Sequence, residues 1–196
     1  SPGFIDLHLH GAKGFDFADG TVEAVITAAN HHCRHGSTTL FPTTLSSSLA
    51  QIADSLAAVR EAKRSADLLP NIPGVHLEGP YFSMKKKGAQ NGDWLHAPDV
   101  DMFRRLVEAA EGLVKIVSIA PEVDGAMDFI RTVSDEVTVS LAHTTANYDI
   151  ASEALKSGAC HVTHLFNAMP PLHHRDGGAV CAAFDSDVFA ELIVDG

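Results

Sequence analysis

Five side chains that can bind a metal ion stand near the ends of predicted β-strands. Histidines end the first, fifth and sixth of these strands, and a glutamate ends the third. The residues are His8, His10, Glu78, His143 and His164. Imidazoles together with one carboxylate suit Zn²⁺, and also Fe²⁺, Co²⁺ or Mn²⁺. The pattern therefore predicts a site for a divalent transition metal, with Zn²⁺ as the first choice.

His8 and His10 lie two positions apart in the first predicted strand. Residues i and i+2 of a strand point to the same side, so both imidazoles can reach one ion. Such a pair alone more often consists of ordinary strand histidines. The ligand types at the other strand ends favour metal binding, because a carboxylate such as Glu78 in an apolar strand is costly to bury without a partner.

The elements that would position these residues alternate between short apolar strands and amphipathic helices. This alternation predicts a parallel sheet covered by helices. A dinucleotide-binding fold is disfavoured, because residues 11–14 after the first strand do not match GxGxxG. Seven strands are expected, at residues 4–10, 38–43, 74–78, 114–119, 137–143, 160–165 and 189–194.

The expected fold class is α/β, specifically a (β/α)8 barrel of the TIM type. In such a barrel the carboxyl ends of all strands meet at one mouth, where the active site lies. About seven βα units fit into residues 1–196, which we interpret as a single partial barrel domain. The eighth strand is expected beyond Gly196.

Charge and composition disfavour several classes of function. The chain has 14 basic and 25 acidic residues and a net charge of −11, which argues against nucleic acid as a partner. It contains no run of 18 apolar residues, so no membrane span is expected. Its three cysteines form no CxxC pair, so neither a disulfide framework nor a cysteine zinc site is indicated.

Four runs in the chain resemble a known enzyme family. They lie at residues 2–11, 76–82, 86–91 and 163–170, and read PGFIDLHLHG, HLEGPYF, KKGAQN and THLFNAMP. The first is similar to the first-strand signature of the amidohydrolase superfamily. The others resemble the N-acetylglucosamine-6-phosphate deacetylases within it, and together the runs span essentially the whole chain.

The resemblance implies removal of acetate from N-acetyl-D-glucosamine 6-phosphate, giving glucosamine 6-phosphate. It implies that Glu78, His143 and His164 hold the main metal ion, and that His8 and His10 can add a second. It places the catalytic aspartate beyond Gly196, so no catalytic residue is assigned in this chain. It also implies a cytoplasmic homodimer. The substrate-binding residues that it implies are Ala89, Gln90, Asn167, Ala168 and Arg175.

Other interpretations stay open on the sequence alone. One is another amidohydrolase, such as an N-acetylgalactosamine-6-phosphate deacetylase or a cyclic-amide hydrolase. A second is a non-catalytic module that binds a sugar phosphate or a metal, and a third is a purely structural domain. The run Lys85-Lys86-Lys87 is interpreted as a solvated charge run.

Overall fold

The computed structural model describes residues 2–194, and strands alternate with helices along them. The strands are β1 (Phe4–Leu9), β2 (Gly11–Ala12), β3 (Phe15–Asp16), β4 (Ser37–Pro42), β5 (Val75–Tyr81), β6 (Val114–Ile119), β7 (Thr138–Leu141), β8 (His161–Val162) and β9 (Phe189–Ala190). The α-helices are α1 (Val22–Arg34), α2 (Leu49–Ala62), α3 (Val100–Ala109), α4 (Ala126–Val133), α5 (Tyr148–Lys156) and α6 (Gly178–Phe184).

The strands confirm the predicted α/β class. β1 and β4 pair in parallel, and a sheet of five strands has the order β5-β6-β7-β8-β9. Neighbouring strands from β6 to β9 are parallel. Among residues 2–194 no helix combines the length and the apolar character that a bilayer span requires.

The chain divides into two compact units. The first contains the residues up to Glu78 together with Met102–Lys115. The second contains Gly79–Asp101 together with the residues from Ile116 onward.

In the first unit, helix α1 packs against β4 and α2. The buried side chains of α1 include Ala24, Val25, Ala28 and Ala29, which recur at helical spacing and form one apolar face. The helix begins where the side chain of Thr21 accepts a hydrogen bond from the backbone N–H of Ala24, at 3.2 Å. Small residues on this face allow the helix to lie close to the strand that it covers.

In the second unit, the parallel register aligns polar residues across three strands. Ser118 of β6 lies opposite Ser140 of β7, and Ser140 lies opposite His161 of β8. The same strands bury apolar residues such as Val139 and Leu141. The register therefore creates a row of polar side chains inside an otherwise apolar sheet.

Several strand boundaries differ from the expected ones. β5 continues to Tyr81, so Glu78 lies in the middle of the strand and not at its end; the Tyr81 carbonyl still accepts a sheet-type hydrogen bond from Ala120 N–H, at 2.9 Å. β1, β7, β8 and β9 end earlier than expected, at Leu9, Leu141, Val162 and Ala190. His10, His143 and His164 therefore follow their strands. The hairpin of β2 and β3 was not predicted.

Backbone conformation explains two of the early strand ends. The φ angles of His143 and His164 are 46° and 35°, in the left-handed region that few residues other than glycine adopt. A residue in this region cannot continue an extended strand. Both histidines consequently sit at the point where the chain leaves the sheet.

A buried asparagine is expected to stabilise the first unit. Asn30 Nδ2 donates to the Asp67 carbonyl at 2.7 Å, and the Leu69 N–H donates to Asn30 Oδ1 at 2.8 Å. Asn30→Ala should lower the free energy of unfolding by about 2 kcal/mol, because it removes both hydrogen bonds. Urea denaturation measures this loss.

Asn71→Ala is the matched control, since the Asn71 side chain is exposed. It should change the free energy of unfolding by less than about 0.5 kcal/mol. Equal losses in the two variants would contradict the role assigned to Asn30.

Candidate metal centre

Three of the predicted ligands meet within the first unit. The Nε2 atoms of His8 and His10 lie 3.2 Å apart. Glu78 Oε1 lies 3.4 Å from His8 Nε2, and Glu78 Oε2 lies 3.2 Å from His10 Nε2. Each carboxylate oxygen thus faces one imidazole nitrogen, and both imidazoles lie on the same side, as the two-residue spacing of His8 and His10 predicted.

Burial makes this cluster costly unless its charge is compensated. The Glu78 side chain is only 3% exposed, whereas those of His8 and His10 are 14% and 35% exposed. A desolvated carboxylate requires a cation or strong hydrogen-bond donors. Two imidazoles and a carboxylate that converge in this way are a donor set suited to a borderline divalent cation.

His76 lies on the same strand as Glu78 and packs against the cluster. Its side chain is fully buried, and its Nδ1–H donates to the Leu7 carbonyl at 3.1 Å. Its ring packs edge-on against His8, with centroids 5.0 Å apart. This contact limits the rotation of the His8 ring.

The other two predicted ligands meet within the second unit. His143 Nε2 and His164 Nε2 lie 3.2 Å apart, and both residues are buried. The Nδ1–H of His143 donates to the Lys86 carbonyl at 2.8 Å. This bond selects the tautomer that leaves a lone pair on Nε2, as is usual for metal-binding histidines. Nε2 is the atom that faces His164.

The segment after β5 encloses His143. Phe82 stacks on the His143 ring, with centroids 4.5 Å apart. Gly88 has a φ of 56°, and a Cβ placed there would lie 3.3 Å from the His143 ring. Glycine at this position therefore allows both the left-handed turn and the close approach of the backbone.

Two of the three lysines after β5 bind backbone carbonyls. Lys86 Nζ donates to the Met169 carbonyl at 2.8 Å, and Lys87 Nζ donates to the Gln90 carbonyl at 3.1 Å. The interpretation of Lys85-Lys86-Lys87 as a solvated run is therefore wrong for Lys86 and Lys87. The local sequence could not reveal the partner of Lys86, because the Met169 carbonyl lies 83 positions away.

The residues expected to contact substrate have mixed exposure. Ala89 and Asn167 are exposed, Ala168 is half-buried and Gln90 is buried. The Ala168 carbonyl accepts a hydrogen bond from Thr144 N–H at 3.1 Å, which ties the segment after His164 to the residue that follows His143.

Arg175 is exposed and lines an open cavity of about 710 Å³ in the second unit. Tyr148 and Cys181 also line this cavity. The hydrogen bond from the Tyr148 hydroxyl to Asp185, at 3.1 Å, raises the pKa of Tyr148. The cavity therefore offers a cationic guanidinium beside neutral polar groups and the carboxylates of Asp149 and Asp176.

A buried chain of polar side chains was missed at the sequence level. Ser118 Oγ lies 3.0 Å from Thr163 Oγ1, which lies 2.6 Å from Ser140 Oγ. Ser140 Oγ lies 2.8 Å from His161 Nδ1, and His161 Nε2 lies 3.6 Å from Glu191 Oε1. The only sequence signal was a serine within each apolar strand, β6 and β7.

Comparison with known proteins identifies the class. Residues 1–191 match the Amidohydrolase family, and the chain belongs to this family. The family is metal-dependent, and histidine and glutamate groups able to hold a metal ion are present among the described residues. The TIM-barrel fold of the family confirms the predicted barrel architecture.

Two individual relatives show which members of the family the chain is similar to. The chain is 40% identical to a Bacillus subtilis N-acetylglucosamine-6-phosphate deacetylase, covering 100% of this chain and 50% of that protein. It is 32% identical to an Escherichia coli N-acetylgalactosamine-6-phosphate deacetylase, covering 100% of this chain and 52% of that protein.

Solved structures show the same similarity. A Mycobacterium smegmatis N-acetyl-D-glucosamine-6-phosphate deacetylase variant in complex with N-acetyl-D-glucosamine-6-phosphate matches with a TM-score of 0.93 and 36% identity. The match covers 100% of this chain and 51% of that chain. The chain thus spans about half the length of the relatives that it matches.

The polar chain on β6–β8 should contribute measurably to stability. Thr163→Val keeps the side-chain shape but removes the hydroxyl that joins Ser118 and Ser140. It should lower the free energy of unfolding by about 1–3 kcal/mol, because buried hydroxyls lose a partner. Chemical denaturation followed by circular dichroism measures the loss.

Thr138→Val on β7 is the control, because Thr138 is only half-buried. Its expected effect is below about 0.5 kcal/mol. A Thr163→Val variant as stable as this control would show that the hydroxyl chain contributes nothing to stability.

Proposed function

We propose that the full-length protein is a metal-dependent hydrolase that removes acetate from N-acetyl-D-glucosamine 6-phosphate in amino-sugar catabolism. The observation that carries the proposal is the convergence of His8, His10 and Glu78 through donor atoms 3.2–3.4 Å apart. The chain that contains this cluster is 40% identical to a curated deacetylase for this substrate.

The metal ligands of the proposal are the five predicted residues. Glu78, His143 and His164 hold the main ion, and His8 with His10 adds a second beside Glu78. Two features support it, one in each unit: a carboxylate facing two imidazoles in the first, and paired Nε2 atoms in the second. The donor set favours Zn²⁺, and it also accepts Fe²⁺, Co²⁺ or Mn²⁺.

The metal ion and the residues of the chain contribute different parts of the proposed chemistry. When bound, a divalent cation supplies Lewis-acid catalysis, because it polarises an amide carbonyl and lowers the pKa of water. Glu78 supplies negative charge, which increases cation affinity. The Lys86 carbonyl keeps His143 in the tautomer that presents Nε2. Proton transfer is assigned to none of residues 2–194.

Substrate binding in the proposal uses Ala89, Gln90, Asn167, Ala168 and Arg175. Arg175 provides a planar guanidinium that can bind a phosphate through two parallel hydrogen bonds. The Asn167 N–H donates to the His164 carbonyl at 2.9 Å, so a sugar bound by Asn167 and Ala168 would lie close to a proposed ligand. A single barrel domain, a homodimer and a cytoplasmic location are further parts of the proposal and rest on the family resemblance.

Metal content tests the ligand assignment. The full-length protein should contain one or two equivalents of transition metal, measured by plasma mass spectrometry. Glu78→Gln should lose most of this metal, because the buried carboxylate carries the negative charge of the cluster. The His8→Ala/His10→Ala double variant should lose one of two equivalents.

Exposed histidines give the matched control for this measurement. His173→Ala and His174→Ala replace surface imidazoles and should leave the metal content unchanged. Metal retained in full by the Glu78 variant would overturn the ligand assignment.

Turnover tests the substrate assignment. Release of acetate should be faster with N-acetyl-D-glucosamine 6-phosphate than with its galactosamine epimer, and slow with the unphosphorylated sugar. Chelation with confirmed metal removal should abolish activity, and added Zn²⁺ should restore it. Faster turnover of the galactosamine epimer would assign the chain to the other deacetylase, which is also among its relatives. Binding without turnover would indicate a non-catalytic module.

A further inference from the structure

Glu122 ties together two loops of the second unit. It lies in the segment between β6 and α4, and its carboxylate accepts hydrogen bonds from the segment that follows β7. Glu122 Oε2 accepts from the Thr144 hydroxyl, and Oε1 accepts from the Thr145 backbone N–H. The Thr145 hydroxyl also donates to Oε1, at 2.9 Å. Three donors from two consecutive residues therefore converge on one carboxylate.

The segment that Glu122 binds begins at His143. Thr144 is the next residue, and it is fully buried. Its hydroxyl accepts from Ala146 N–H at 2.8 Å while it donates to Glu122, so the turn is closed around this one side chain. Its backbone N–H donates to the Ala168 carbonyl. The hydroxyl and the backbone N–H of Thr144 therefore both form hydrogen bonds that hold the turn.

His143 needs such support because its backbone conformation is unfavourable. A φ of 46° strains the backbone of a non-glycine residue, so it persists only where surrounding contacts impose it. The Ser83 N–H donates to the His143 carbonyl at 3.1 Å from one side. The hydrogen bonds that Thr144 and Thr145 donate to Glu122 hold the chain on the other side. The direction of the imidazole follows from this backbone geometry.

We propose that Glu122 is a positioning residue that fixes the His143 imidazole in the orientation needed to bind the metal ion. The proposal rests on the function proposed above, in which His143 is a ligand. Glu122 acts through Thr144 and Thr145, and it need not touch the metal or the substrate. Partners that orient metal ligands commonly change metal affinity or activity by about 10- to 100-fold when they are replaced.

Substitutions at Glu122 and Thr145 can change the charge or remove single hydrogen bonds, and so test the role of Glu122. An ionised carboxylate offers acceptors only, which matches three donors. In Glu122→Gln the oxygen that faces the Thr144 hydroxyl becomes an NH₂ group, which cannot accept, so the hydroxyl can only accept from it and its own buried proton loses its acceptor. Thr145→Val removes only the hydroxyl bond at 2.9 Å and keeps the backbone bond, whereas Thr145→Ser keeps both. The three variants therefore form a graded series with little change in volume.

The experiment measures Zn²⁺ affinity of the full-length apoprotein by competition with a chromophoric chelator. Glu122→Gln should raise the Kd for Zn²⁺ by about 10- to 100-fold, with a smaller increase for Thr145→Val and none for Thr145→Ser. Glu108→Gln, an exposed glutamate on α3, is the matched control and should leave Kd unchanged. Activity at saturating Zn²⁺ should show a lower kcat with little change in KM.

Thermal denaturation of the apoproteins separates positioning from general stability. A purely structural role would lower the Tm of Glu122→Gln and leave the Kd of the folded protein unchanged, and that result would overturn the proposal. If the proposed function is wrong, the wild-type protein binds Zn²⁺ but releases no acetate. In that case the Kd series still decides the role of Glu122. A wild-type protein that binds no Zn²⁺ would overturn both proposals.

Discussion

The buried carboxylate of Glu78 is the constraint on which the arrangement of the first unit depends. A carboxylate with 3% exposure in the middle of an apolar strand is unfavourable unless cationic groups or a metal face it. His8 and His10 face its two oxygens, and His76 packs against His8 from the same strand as Glu78. The strand pairing of β1 with β4 and the packing of α1 hold the histidines in this register.

In the second unit, two histidines lie outside their strands and have to be held in place by loop contacts. His143 and His164 have left-handed backbone conformations, and they bring their Nε2 atoms to 3.2 Å. Backbone carbonyls supply much of the support, because Lys86 accepts from His143 Nδ1 and Ala168 accepts from Thr144 N–H. Loops that look irregular in sequence are therefore tied together by hydrogen bonds between distant segments, which lowers their freedom and fixes the imidazoles.

Much of the fold and several features of the site could be predicted from sequence because they depend on local patterns. The bounds of β6 are those expected from its run of apolar residues. The side shared by His8 and His10 follows from the two-residue period of a strand. The errors fall where local pattern is weak: β5 continues through Gly79-Pro80, and β8 stops at Val162 because His164 takes a left-handed φ.

The sequence by itself determined the residue types that can bind a metal, their order along the chain and the alternation of strands with helices. These follow from side-chain chemistry and hydrophobic periodicity, which neighbouring residues encode. The tertiary structure alone decided which carbonyl orients His143, which donors meet Glu122, and that Ser118, Ser140 and Thr163 share one buried chain. Such contacts join residues more than 20 positions apart, and no local pattern specifies which distant group will satisfy a buried polar atom.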